Sequence, residues 1–171
     1  MTKAVRILLA IAVTLISIAT IFFFSEQPGS ISHTSSMKVA EWTAERIIKM
    51  SPSANYSAGN ATVLAKALDY PIRKLAHLFI YFMLGLIVYL GLRFVLAEKM
   101  RPAYAFLVIL LVFLVACADE INQYFNVARG ASFGDVILDT VGGTLGMYFF
   151  HIIQDFIMHV KSLFSKNTKK T

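Results

Sequence analysis

The chain has few of the residues that build familiar chemical sites. It carries one cysteine, Cys117, which excludes an internal disulfide and any Cys-x-x-Cys metal or redox motif. Cys117 sits in the apolar run Leu114 to Ala118 and reads as a small buried residue. Histidines number four; His33, His151 and His159 show no partner pattern, and no His-Glu-x-x-His pair occurs. There is no phosphate loop, no dinucleotide fingerprint and no Gly-x-Ser-x-Gly elbow. No cofactor is expected, and His77, Asp119, Glu120 and Asp135 lack the spacing of a specific metal site. Charge is scarce as well: 15% of 171 residues are charged, and only ten of those are acids.

What fills the chain is hydrocarbon. Hydrophobic residues make up 57% of it, too many for an ordinary soluble domain and right for an integral membrane protein. Four apolar runs approach the roughly 20 residues that a helix needs to cross the hydrocarbon core. They predict spans over about 5–24, 74–96, 102–124 and 133–157, within a single domain of residues 1–171. The first follows Lys3 and Arg6 with no Ala-x-Ala cleavage site after it, as in an uncleaved signal anchor. The fold class is therefore all-α: a four-transmembrane-helix bundle.

Basic residues orient the spans. One side collects nine Lys and Arg, at both ends of the chain and in the loop from Arg93 to Arg101, against two acids. The other collects seven, against eight acids. Basic residues near span ends favour the cytoplasm, so both termini are expected on the cytoplasmic side of the membrane. The net charge of +6 then reflects orientation and anionic lipid, not nucleic acid. The extracytoplasmic loop, about residues 25–73, has apolar residues at Met37, Ala40, Ala44, Ile47 and Ile48, with Trp42 nearby. This spacing predicts an amphipathic helix on the membrane surface. Ser51-Pro52 ends it, and a short helix over 61–68 precedes Asp69-Tyr70-Pro71, where span two starts.

Three polar groups border the spans on the outer side. Arg73, His77 and Tyr81 recur at every fourth position on one helix face, with Lys74 beside them. Cations there run against the positive-inside preference, which points to an anionic ligand or to ion pairs with acids of spans three and four. Asp119, Glu120 and Gln123 close span three. Glu120 aligns with Ala116 and Gln123 and is the expected inward acid, able to give or take a proton. Arg129, Ser132, Asp135 and Asp139 open span four. Ser132 to Asp135 fits a capping box, which accounts for both without a ligand. Asp139 sits a turn deeper; an ionised acid at mid-span costs about 2.5–3.5 kcal/mol, so it needs a partner such as Arg73, Lys74 or Arg129. Gly142 and Gly146 form a small-xxx-small pattern for close helix packing. If a reaction occurs, Glu120, His77 and Asp135 are the candidate acid or base; Arg73, Lys74, Tyr81, Asp119, Gln123, Arg129, Ser132 and Asp139 are candidate ligand contacts.

These motifs resemble the VanZ-like family of bacterial membrane proteins. Its pattern Arg-Lys-x-Ala-His-x-x-x-Tyr stands here as Arg73-Lys74-Leu75-Ala76-His77 with Tyr81. Asp-Glu-x-x-Gln stands as Asp119-Glu120-Ile121-Asn122-Gln123. The third motif stands as Arg129, Ser132, Asp135, Asp139 and Gly142, with Asp139 where the family often has Asn. Phe24 to Gly29 is similar to a segment that recurs after the first span, and the likeness runs from about Ile21 to Gly146. The resemblance implies a role at the bacterial envelope, and the family's namesake is associated with resistance to teicoplanin, a lipidated glycopeptide. Expected partners are membrane lipids and an anionic lipid-linked wall precursor or the lipidated glycopeptide itself. Two other readings are an accessory protein whose cluster is a structural ion-pair network, and a small transporter. The second is weakened because the charges gather at one surface.

Overall fold

The computed structural model describes residues 1–26, 29–50, 58–96, 102–125 and 132–168. All the regular structure in them is helical: α1 (Lys3–Ser25), α2 (Gly29–Met50), α3 (Ala58–Leu96), α4 (Pro102–Tyr124) and α5 (Phe133–Thr168). Four of the five, α1, α3, α4 and α5, are long and apolar enough to cross a membrane. Helices are the expected answer, because backbone N–H and C=O groups in lipid must be satisfied within the segment. Thr2 caps α1, its hydroxyl accepting from the Val5 N–H.

α3 is the hub and packs on each of the other helices. Its 39 residues span about 58 Å at 1.5 Å per residue, nearly twice the hydrocarbon thickness. The excess lies at its N-terminal end, where α2 packs on it. Here the structure corrects the expected outer loop. The segment over 61–68 is not a separate short helix: α3 runs unbroken through Pro71, although proline lacks the N–H that would bond to Ala67. Residues 29–36, expected as loop, form the first turns of α2. The α2 face expected on the membrane surface turns towards α3. Ala40 and Ala44 are fully buried against Ala65, with Met37, Leu64, Leu68 and Ile72 around them. Trp42 and Ile47 remain exposed.

The main core joins Tyr81, Leu84 and Val88 of α3 to Val108, Val112 and Ala116 of α4 and Met147 of α5, with Ile21 of α1 at its edge. Outward-facing side chains such as Leu8, Ile16, Phe106, Leu114 and Ile152 are apolar too, as a lipid-facing surface requires. Arg6 of α1 sits over the Phe94 ring near the end of α3. The opposite end of the bundle, where α1 and α4 finish and α5 begins, holds the polar residues.

Glycine sets the distance between α3 and α5. A Cβ on Gly146 would stand 1.9 Å from the Phe82 carbonyl oxygen, and one on Gly142 would stand 2.6 Å from that of Leu78. Gly85 and Gly143 meet in the same way, at 1.9 Å. The small-xxx-small reading of Gly142 and Gly146 therefore holds, and its partner surface is Leu78 to Gly85. These contacts oppose backbone, which cannot swing aside. Gly146→Val should cost more than the roughly 1–3 kcal/mol of ordinary overpacking and should remove most folded protein from the membrane. Gly91→Ala meets only the Ala10 methyl at 3.3 Å and should leave the level near wild type. Thermal unfolding in detergent with membrane immunoblots checks both.

Candidate functional site

Because α3 and α5 touch backbone to backbone, the residues one turn before the contact are also brought close. His77 of α3, Asp119 of α4 and Asp139 of α5 converge, with ligating atoms all within 4.8 Å of one another. Asp119 and Asp139 are fully buried. Gln123 reaches back one turn, its Nε2 donating to Asp119 Oδ2 at 3.0 Å. That leaves Asp119 Oδ1, and both oxygens of Asp139, buried without a hydrogen-bond donor among the described residues. Tyr81, also fully buried, faces Asp119 from α3.

A second group sits nearer the surface. Lys74 Nζ bonds to Asp135 Oδ1 and ties α3 to the first turn of α5. Glu120 Oε2 accepts from the Ser132 N–H at 2.7 Å. The Ser132 carbonyl in turn accepts from the Asp135 and Val136 N–H groups. Ser132 is thus the N-cap, as expected, but the capping box does not close on itself. Glu120, from a different helix, takes the N–H that Asp135 would have taken, and the Asp135 carboxylate goes to Lys74.

Three expectations change accordingly. Asp119, not Glu120 alone, faces the bundle centre: Asp119 is fully buried and Glu120 is 5% exposed. The two neighbouring acids can both be inward because they serve different layers, Glu120 the α5 cap and Asp119 the interior. Asp139 does not pair with Lys74, whose ammonium is taken by Asp135, nor with Arg73, which makes no ion pair among the described residues. Arg129 lies outside the described residues. His33, which showed no partner pattern in sequence, pairs with Asp69 at 2.7 Å across 36 residues, and Ser36 donates to the same carboxylate. This trio pins the start of α2 to α3. Asp69 lies 36 and 33 residues from His33 and Ser36, too far for local spacing to show the trio.

A cavity of about 300 Å³ opens among α1, α2, α3 and α4 at this polar end. Its walls are mostly apolar, from Ile21, Phe24, Val39, Ile72 and Ile80. Arg73, His77, Tyr81 and Asp119, with Ser25, Ser35 and Ser36, supply its polar side. The Arg73 guanidinium rests 5.7 Å from the Tyr70 ring centroid. Of the three candidate acid–base residues, only His77 lines the cavity; Glu120 and Asp135 do not.

A family model described as VanZ/LLP1 matches residues 9–154. The chain belongs to this family. The match spans α1, α2, α3, α4 and most of α5, so the polar end of this VanZ/LLP1 protein lies wholly within it. No curated protein and no solved structure matches the chain.

The ion pair and the inter-helix cap have a structural signature that catalysis would not share. Lys74→Met leaves the Asp135 carboxylate uncompensated in a site about four-fifths covered, and should lower stability by about 1–3 kcal/mol. The swap Lys74→Asp with Asp135→Lys should recover most of that loss. Detergent melting of the two singles and the swap checks it; three equally stable proteins would mean the bridge holds nothing together.

Proposed function

We propose that this VanZ/LLP1 protein sits in a bacterial cytoplasmic membrane with its polar end outward, and that the cavity there binds an anionic lipid-linked component of the envelope. The observation that carries the reading is the composition of the cavity. An apolar chamber whose polar side holds the Arg73 guanidinium and the His77 imidazole suits an amphiphile with a phosphate or carboxylate head and a hydrocarbon body, the head seated on Arg73 and away from the Asp119 carboxylate that shares that side. Arg73 is the group for the head, since Lys74 is engaged by Asp135. Candidate ligands are a lipid-linked wall precursor, a teichoic-acid-type lipid, or a lipidated glycopeptide. The last would tie the site to teicoplanin tolerance. The outward orientation rests on the nine basic residues of the opposite side.

Glu120 and Asp135 stand in this reading as supports for the entrance of α5, which favours binding over a reaction centred on them. Of the three candidate acid–base residues, His77 is the one that lines the cavity. If Glu120 were the engine of a reaction, Glu120→Gln would end function at normal abundance. That variant should function, because the glutamine oxygen still accepts from the Ser132 N–H.

Binding is tested directly with a long-chain isoprenoid phosphate and the matching alcohol, using detergent-solubilised protein and native mass spectrometry. Wild type should retain the phosphate and not the alcohol. Arg73→Ala should reduce retention about tenfold or more, the loss of a charge-assisted contact of about 1.5–3 kcal/mol. Equal retention of phosphate and alcohol, or an unchanged Arg73→Ala, would overturn the reading.

A further inference from the structure

We propose that His77, Asp119 and Asp139 form a binding site for one divalent transition-metal cation of the zinc or manganese class, open towards the cavity. Three observations lead there. Three ligand-type side chains from three different helices place their ligating atoms within 4.8 Å of one another. Metal bonds of about 2.0–2.2 Å hold neighbouring ligand atoms about 3.5 Å apart in a tetrahedral site, so small rotations of these side chains close on an ion. Asp139 is fully buried with neither oxygen bonded among the described residues, and Asp119 keeps Oδ1 in the same condition.

Two buried carboxylates side by side repel, and no Lys or Arg in the described residues forms an ion pair with either. A dication supplies the charge they lack: two carboxylates and a neutral imidazole around it give a neutral buried set. Gln123 fits as an outer support, since its bond to Asp119 Oδ2 fixes the carboxylate with Oδ1 turned free. One nitrogen and two oxygens suit zinc or manganese better than magnesium or calcium, which take oxygen ligands. Three protein ligands leave a position open, and the cavity is what it faces, because His77 and Asp119 also line that cavity. The site stands on these side chains alone, whatever the cavity holds.

The test uses the full chain without a polyhistidine tag, purified in detergent, stripped with chelator and titrated with Zn²⁺ or Mn²⁺ alone. Calorimetry and elemental analysis read the stoichiometry and affinity, and thermal unfolding reads the stabilisation. Wild type should take up one ion per chain and melt higher with it. Asp139→Asn removes a ligand charge at nearly constant shape and relieves the repulsion, so it should stay folded without metal; it should lose at least about tenfold in affinity and gain no stability from the ion. Gln123→Ala should weaken binding by about 10–100-fold without changing the stoichiometry. A wild type that takes up neither ion overturns the proposal, as does binding by Asp139→Asn and His77→Ala at wild-type affinity. No lipid is present, so failure here leaves the anion-binding reading untouched.

Discussion

Everything at the polar end depends on how closely α3 and α5 approach. Gly142, Gly143 and Gly146 meet Leu78, Phe82 and Gly85 with no side chain between the backbones. Lipid supplies no hydrophobic drive for helices to associate, so this contact rests on van der Waals fit. It also fixes register. With Gly142 against Leu78, Asp139 falls beside His77, and Asp135 falls within reach of Lys74 a turn further out. α4 then brings Asp119 to the first pair and Glu120 to the N-terminus of α5. Slide one helix by a turn and each of these pairings is lost together.

The resulting cluster has two layers with different physics. The outer layer is satisfied: Lys74 holds Asp135, and Glu120 holds the Ser132 N–H. It explains four polar residues as the means by which α5 starts squarely against α3 and α4. The inner layer is not satisfied by the described side chains, since Asp119 and Asp139 keep buried oxygens without donors. Buried polar groups without partners are expensive, and proteins retain them where something else completes the set. The cavity that reaches this layer is lined by His77 and Asp119 of the layer itself and by Arg73.

Much of the architecture was legible in the sequence because its signals are local. Long apolar runs marked the four spans, and the fold confirms four helices of that character. Polar motifs at alternate span ends implied one shared polar end, and Lys74, His77, Asp119, Glu120, Asp135 and Asp139 do gather there. What stayed hidden depends on rotation and register between helices. Adjacent Asp119 and Glu120 point about 100° apart, and only the packing of α5 shows that both directions are interior. Ser132 and Asp135 fit a local capping box, and only the third helix reveals Glu120 as the competitor. Pro71 is a boundary by local rules, yet α3 continues through it with α2 packed alongside. A metal-type triad with one ligand per helix leaves no spacing motif at all.

The most direct test of this convergence is thiol cross-linking in native membranes. Cys117 is the sole cysteine and can be replaced by serine. In that background, Lys74→Cys with Asp135→Cys should be joined rapidly by a short bis-methanethiosulfonate reagent that replaces the reach of the lysine stem, because the native side chains touch. Leu75→Cys with Asp135→Cys should not, because Leu75 points outward and is 61% exposed. Cross-linking of the second pair in preference to the first, or of neither, would contradict the α3–α5 register on which the whole polar end is built.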